Sequence, residues 1–441
     1  MRFLADITPL RESADFRRLW WGQGVASIGH QITVITVSLE AYHLTGSTWA
    51  VGMIGLCELV PLIVFGLYGG AIVDRVDRRK AALLATVVLW LTTVALALHA
   101  WLDAEKIGIL YGLVAIQAAA YAVNSPARTA ITPRLVRAEL LPAANALQGA
   151  VGNLAMTVGP MLGALLVAMA SFAAAYGLDA ILMTAAMWAI WRLPPILPLT
   201  EDEAASPEIA SQEQTARRVR LPRGIASVWE GLRYLGTRPN VRMTFLVDLC
   251  AMIFAMPRVV FPAAGVLYLG GGEMTSGALI TAIAVGGIVA MVFSGPVSRI
   301  HFHGRAIVWA IVGWALAILA FGFVLVAAGD TRPSGPVWWA ITAAAVALAV
   351  AGACDSISAI FRQSVLQTAT PDSMRGRLQG VFIVVVAGGP RVGDMTLGGG
   401  AELLSEGWVV VVGALLCLIC LGLLVNANRG FLAYDARNPV P

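Results

Sequence analysis

Lysine is almost absent from this chain: only Lys80 and Lys106 occur among 441 residues. Neither follows a glycine, and a Walker A loop needs a Gly-Lys pair to cradle phosphates, so no ATP site of that kind exists. Charge of either sign is scarce. Charged residues make up 13% of the chain, against roughly 25% in soluble proteins. Hydrophobic residues make up 58%. A soluble fold of this length has no interior large enough for so much apolar surface, and the chain belongs in a bilayer. The five histidines form no HExxH motif, and no GxSxG elbow occurs. Gly393-Asp394 follows Arg391-Val392, so a GxGD protease motif fails as well. The five cysteines (Cys57, Cys250, Cys354, Cys417 and Cys420) are scattered through apolar stretches. They read as small apolar side chains rather than as disulfides or metal ligands. Catalysis is poorly supported, and no metal, cofactor or nucleic-acid partner is expected.

What the chain does have is long apolar runs. A spanning helix needs about 20 mostly apolar residues. Twelve runs qualify: about 18–42, 49–73, 81–102, 107–131, 141–170, 174–192, 241–268, 276–298, 306–328, 336–360, 378–402 and 408–426. They are continuously apolar rather than alternating, which excludes porin-like strands. The first 18 residues are polar and charged and show no cleavable signal. Of the 30 Lys and Arg residues, Lys106 and Arg332 fall on one side of the membrane and Arg258 and Arg391 lie within runs. The other 26 fall on the second side. Basic residues mark the cytoplasmic face, so both termini are expected there.

The longest polar stretch, 193–240, divides the runs six and six. It opens on Pro194, Pro195 and Pro198, continues through an acidic segment and then Arg217, Arg218 and Arg220, and has the composition of a linker. Near 223–236 the pattern changes. Ile225, Val228, Trp229, Leu232 and Leu235 share one helical face, which predicts an amphipathic helix at the inner surface. The expected organisation is a six-helix half over 1–192, the linker, a second half over 241–428 and a tail over 429–441. The halves resemble each other. The fifth run carries ALQGAVGNLAMTVGP and the eleventh RLQGVFIVVVAGGP, each with Leu-Gln-Gly followed about ten residues later by Gly-Pro. Repeated halves imply a pseudo-symmetric protein able to rock about a central site. Without an ATP site of its own, transport would run on a gradient.

The densest charge cluster is GGAIVDRVDRRK, Gly69 to Lys80, between the second and third runs. It resembles the signature of the major facilitator superfamily at that loop, with Gly70, Asp74, Arg75, Arg78 and Arg79 matching and Asp77 where glycine is usual. FRRLW at Phe16, GSTWAVG at Gly46, PARTAITPRLV at Pro126, ANALQG at Ala144 and QTATPDSMRGRLQG at Gln367 resemble the branch containing the enterobactin exporter and macrolide and multidrug efflux proteins. The resemblance implies an all-α polytopic fold of twelve spans in two halves, with no enzymatic activity. It also implies a conformational latch. Asp74, beside Gly70, Arg75 and Arg78, would bond near the start of the eleventh helix at Arg375 and Arg377, with Arg128 as a further partner. A carboxylate at a helix N-terminus is worth roughly 0.3–1 kcal/mol. The bland alternative is a solvated loop that only sets topology. Gly159, Pro160 and Gly163 resemble the end of the antiporter motif, and Gly389-Pro390 is their counterpart. Ala155 and Ala164 stand where glycines are expected. Ordinary tight packing by small residues is the alternative. The arginine usual inside the fourth helix is missing.

Charged groups inside a bilayer are costly and usually face a cavity. A proton-coupled carrier needs a group that changes charge between its states, and carboxylates and histidine suit this. The coupling candidates are Glu58, Asp394 and His30. Gln31, Asn153, Asp248, Met252, Met256, Arg258, Phe382 and Arg391 are candidates for the substrate pathway. Arg391 and Arg258 would either attract an anionic substrate or neutralise Asp394 and Asp248. Glu40, Asp179 and Asp355 lie near run ends, where snorkelling explains them. The resulting expectation is a monomeric, proton-driven exporter of bulky amphipathic compounds, such as siderophores or antibiotics, in a bacterial inner membrane. Uptake of a small metabolite and lipid or lysolipid flipping are the alternatives, and a sensor or scaffold is a more distant one.

Overall fold

The computed structural model describes residues 6–73, 77–194, 225–293, 300–370 and 372–437. All regular structure among them is helical. After a short helix at Thr8–Glu12 come α1 (Ala14–Thr45), α2 (Thr48–Val73), α3 (Arg78–Trp101), α4 (Ile107–Leu135), α5 (Leu141–Met169) and α6 (Phe172–Trp191). Then follow α7 (Ile225–Thr237), α8 (Pro239–Phe254), α9 (Gly272–Val292), α10 (His303–Ala328), α11 (Trp338–Thr368), α12 (Asp372–Leu404) and α13 (Glu406–Ala427). Ten helical segments among the described residues are long and apolar enough to cross a membrane. The runs 18–42 and 378–402 lie within α1 and α12, of 32 and 33 residues.

Local chemistry explains several boundaries. Asp77 caps α3, its side chain accepting from the Arg79 amide at 2.9 Å. Ser171 caps α6 by accepting from the Ala174 amide at 3.1 Å. Each cap satisfies a backbone donor that the first helical turn leaves unpaired. Pro142 and Pro239 sit in the first turns of α5 and α8, where a missing N–H costs nothing. Gly270, Gly271 and Gly272 all take positive φ (70°, 77° and 55°), a turn that side chains would strain.

The seventh apolar run, 241–268, is not one helix. α8 stops at Phe254, a 3₁₀ turn covers Pro257–Val260, and a π-turn covers Ala264–Tyr268. Pro257 lacks the N–H that would continue the ladder, and Pro262 follows within the same stretch. Hydropathy registers none of this.

Chain contacts divide the molecule into two units. One contains residues 1–45 and 57–205, the other 46–56 and 206–441. α2 is therefore shared: its first turns belong with the second unit and the remainder with the first. In the first unit α1 packs against α5 and α6, and α3 against α4 and α6. Its core includes Leu19, Ala82, Ala127, Ile131, Ile190 and Leu193. In the second unit α11 packs against α9 and α10, α10 against α13, and α8 against α12 and α13. Large apolar side chains such as Trp21, Leu84, Ile181, Trp309 and Leu423 point outward and exposed. An outward apolar surface is what lipid-facing helices require.

Candidate functional site

In the first unit, glycine sets the approach of α5 to α1. A methyl group at Gly163 would meet Ile35 Cγ2 at 2.6 Å and the Ile32 carbonyl oxygen at 3.1 Å. At Gly159 it would collide with Gln31 Cβ. Gly159, Pro160 and Gly163 are all buried at this crossing. Gln31, on the substrate-pathway list, is thus fixed against the glycine motif. His30, next to it, stacks on Tyr121 of α4 with ring centroids 5.0 Å apart and planes 11° from parallel. Glu58 lies half-buried on α2, and Asn153 lies on the exposed side of α5.

The most polar interior of this unit was not anticipated. Gly29, Thr33, Thr36 and Glu40 follow one another at helical spacing and share one buried face of α1. That face meets α3 and α6. Glu40 is 3% exposed and Asp179 0%. His99 Nδ1 lies 3.0 Å from Glu40 Oε1, and the Tyr176 hydroxyl donates to Glu40 Oε2 at 2.5 Å. One turn further along α6, Asp179 Oδ2 accepts from Thr33 at 2.5 Å and from Thr93 at 3.4 Å. Gln117 of α4 donates to Thr93 at 3.3 Å. Gly29 packs so closely on Asp179 that a methyl group there would overlap its carboxylate. Two turns before Thr93 on α3, Thr86 accepts from Asn124 at 2.8 Å and from Arg128 at 3.3 Å. The sequence reading explained Glu40 and Asp179 by snorkelling, because they lie near the ends of apolar runs. Both carboxylates instead turn inward, on buried helix faces. The 29–33–36–40 spacing of small and polar residues was the available signal.

In the second unit, Asp248 of α8 pairs with Arg362 of α11 rather than with Arg258. Arg362 also lies 3.6 Å from Asp355. Arg258 is exposed beside Met256, with Nη2 3.5 Å from its Sδ. Met252 lies against α12, where a methyl at Gly389 would come 3.0 Å from its Sδ and one at Gly393 would strike its carbonyl oxygen. Thr396 of α12 donates to the Ile253 carbonyl at 3.0 Å. Pro390 is buried at the same crossing. Arg391 and Asp394 face the opening turns of α2: a methyl at Gly52 would sit 2.6 Å from the Asp394 carbonyl oxygen, and one at Gly55 3.0 Å from that of Arg391. Thr48 donates to Glu406 at 2.8 Å, Ser47 to Glu402 at 2.9 Å, and Tyr268 to Glu406 at 3.0 Å.

Of the latch residues, Asp74 and Arg75 lie outside the described residues, as do the side chains of Arg375, Arg377 and the pathway candidate Phe382. Gly70 lies in the last turn of α2. Arg78 donates to the Ala130 carbonyl at 3.4 Å. All five cysteines are free thiols, with Cys250 and Cys417 sulfurs 3.9 Å apart. Among the described residues no His, Cys, Asp and Glu cluster suits a metal ion.

The family model described as Major Facilitator Superfamily matches residues 19–394. Over 428 residues and 95% of both chains, this protein is 26% identical to the "Enterobactin exporter EntS" of Citrobacter koseri. It is 25% identical over 430 residues, again 95% of both chains, to that of Salmonella typhimurium. Among solved structures, a POT family transporter in complex with 5-aminolevulinic acid aligns with a TM-score of 0.71 and 14% identity, covering 95% of this chain and 97% of that one. A D-xylose-proton symporter aligns with a TM-score of 0.63 and 14% identity, covering 92% and 97%. At such identities these structures speak to the fold alone.

Proposed function

The chain belongs to the major facilitator superfamily, and from that premise we propose that this multi-pass membrane transporter is a proton-coupled exporter of bulky amphipathic compounds, with siderophores or antibiotics as its substrate class. The observation that carries this reading is the end-to-end likeness, over 95% of both chains, to proteins named as enterobactin exporters. The chain would cross a bacterial inner membrane twelve times with both termini in the cytoplasm, act as a monomer and work by alternating access. The halves would be 1–192 and 241–428, joined by the 193–240 linker with its surface helix near 223–236 and followed by the 429–441 tail.

The chemistry supports gradient coupling. No Walker A lysine exists, so active transport would run on an ion or substrate gradient unless a separate chain supplies ATP hydrolysis. Glu58 and Asp394 are carboxylates well inside their helices, and a carboxylate alternately reached from each side can carry a proton. His30 is a third group of this kind. Gln31, Asn153, Met252, Met256, Phe382 and Arg391 would line the substrate's route. Gly70, Asp74, Arg75 and Arg78 would form the cytoplasmic latch, with Arg128, Arg375 and Arg377 as its partners.

The test is a strain deleted for this protein, assayed for accumulation and growth across a panel that includes its own siderophores and lipophilic antibiotics. Retention of a siderophore or antibiotic inside the deletion strain, reversed by the intact gene, is the expected result. Loss of uptake of an external metabolite in the deletion strain, restored by the intact gene, would favour the importer reading. A changed distribution of labelled lysolipid between leaflets would favour the flippase.

A further inference from the structure

Three ionisable side chains from three helices meet in the interior of the first unit. Glu40 comes from the last third of α1, His99 from the last turn of α3 and Tyr176 from the first turns of α6. All three lie at the same end of the bundle. Glu40 and His99 side chains are 4% and 3% exposed, and Tyr176 is 0% exposed. Both carboxylate oxygens are engaged, one by His99 at 3.0 Å and the other by the Tyr176 hydroxyl at 2.5 Å. The remaining imidazole nitrogen, His99 Nε2, is buried with no hydrogen-bond partner among the described residues.

We propose that Glu40, His99 and Tyr176 form a proton-binding site, and that this site, with Asp179 one turn deeper, carries the proton that drives transport. The proposal rests on the proton-coupled reading above and adds to Glu58, Asp394 and His30 a further stop for its proton, in a place the apolar-run pattern hides.

The proton count is simple. With neutral His99 donating from Nδ1, the Glu40 carboxylate leaves the site with one negative charge. One added proton, carried by Glu40 as a neutral carboxylic acid, makes the pair neutral overall. A buried net charge costs several kcal/mol even after relaxation, so closing the site favours the loaded form. Release requires opening it to water, where a carboxylate is well solvated. A group that is charged in one state and neutral in another is what alternating access needs to couple an ion.

Among the described residues no Lys or Arg is bonded to Glu40. His43, on α1 itself, is the next titratable group to act on Glu40, and its ring lies 5.4 Å from that of Phe172. α6 contributes Tyr176 and Asp179, and α3 contributes His99. α5, packed on the other side of α1, has no ionisable side chain between Leu141 and Met169. On α4 the ionisable groups are Tyr111, Tyr121, Arg128 and Arg134. Among the bonds described, Arg128 reaches Thr86 rather than Glu40. Arg362 offers a contrast in the second unit: it holds Asp248 in a fixed ion pair, which would neutralise that carboxylate in every state. Asp179 has only hydroxyl donors, Thr33 and Thr93, and its Oδ1 is buried without a partner among the described residues. It fits a second stop for the same proton.

Proton binding can be measured without a substrate. Purified protein in lipid is titrated while the infrared carbonyl stretch of protonated carboxyl groups is recorded. We expect a band that grows on acidification and disappears in Glu40→Gln. Tyr176→Phe keeps the ring and removes only a donor to the carboxylate. It should move the half-titration point by about tenfold toward lower proton concentration, since the lost bond favoured the charged form. A Glu40→Gln spectrum identical to the wild type, or a Tyr176→Phe titration superimposable on it, overturns the assignment. Gradient-driven transport by the unmodified protein decides the coupled reading separately. If the gradient drives transport and Glu40→Gln leaves coupling intact, only this site is wrong.

Discussion

Asp248 of α8 and Arg362 of α11 form an ion pair inside the second unit, with side chains 5% and 10% exposed. Asp355, two turns earlier on α11, lies 3.6 Å from the other end of the same guanidinium. The pair joins two helices that are far apart in sequence.

Removing one partner leaves a buried charge alone. Arg362→Leu should therefore destabilise the protein by about 3–5 kcal/mol, whereas Asp248→Leu combined with Arg362→Leu should recover most of that loss. Thermal unfolding in detergent, followed by tryptophan fluorescence, checks both. Equal melting of the single and double variants would show that the pair is not buried in the way described.

Gly163 of α5 has Ile35 and the Ile32 carbonyl in contact range, while nothing lies within 4 Å of the position a methyl would take at Gly177 of α6. Gly163→Val should cost about 1–3 kcal/mol by forcing α5 away from α1. Gly177→Ala should be neutral or stabilising by about 0.5–1 kcal/mol, because glycine weakens a helix interior. The two melting temperatures should move in opposite directions, or only the first should move.

This contrast shows what the sequence made legible. The long apolar runs identified the helices, and the Gly-Pro motifs pointed to close crossings at Gly159, Gly163 and Gly389. Hydropathy averages over a helix, so it missed two things that depend on single residues. It joined 241–268 across Pro257, whose missing N–H ends α8. It also placed Glu40 and Asp179 by their distance from the ends of runs, although burial depends on which face of the helix a residue occupies. The partner of Asp248 was unreadable for a different reason: Arg362 lies 114 positions later, and only the packing of α8 on α11 brings them together.

The C-terminal tail should contribute to stability. Phe431 is 1% exposed, Arg305 donates to the Leu432 carbonyl at 3.1 Å, and the Ala436 amide donates to the His301 carbonyl at 3.0 Å. Phe431→Ala should lower stability by about 3–5 kcal/mol, the usual range for a buried phenylalanine. A melting temperature unchanged from wild type would mean the tail is merely resting on α10.

The linker segment 199–220 is acidic and polar, too poor in apolar residues to bury a core. A Gly/Ser spacer of equal length should preserve transport. Normal expression with complete loss of activity would assign the segment a specific docking role.

Proton-driven export, as proposed, can be read directly in vesicles. Proteoliposomes loaded with enterobactin as the probe, with the protein inserted in its cellular orientation, should lose it faster when the outside is made acidic. A protonophore should abolish the acceleration, and the Glu58→Gln, Asp394→Asn and Glu40→Gln variants identify the groups responsible. Enterobactin loss that requires this protein but proceeds at one rate with the gradient, without it and with the protonophore would rule out proton-driven export.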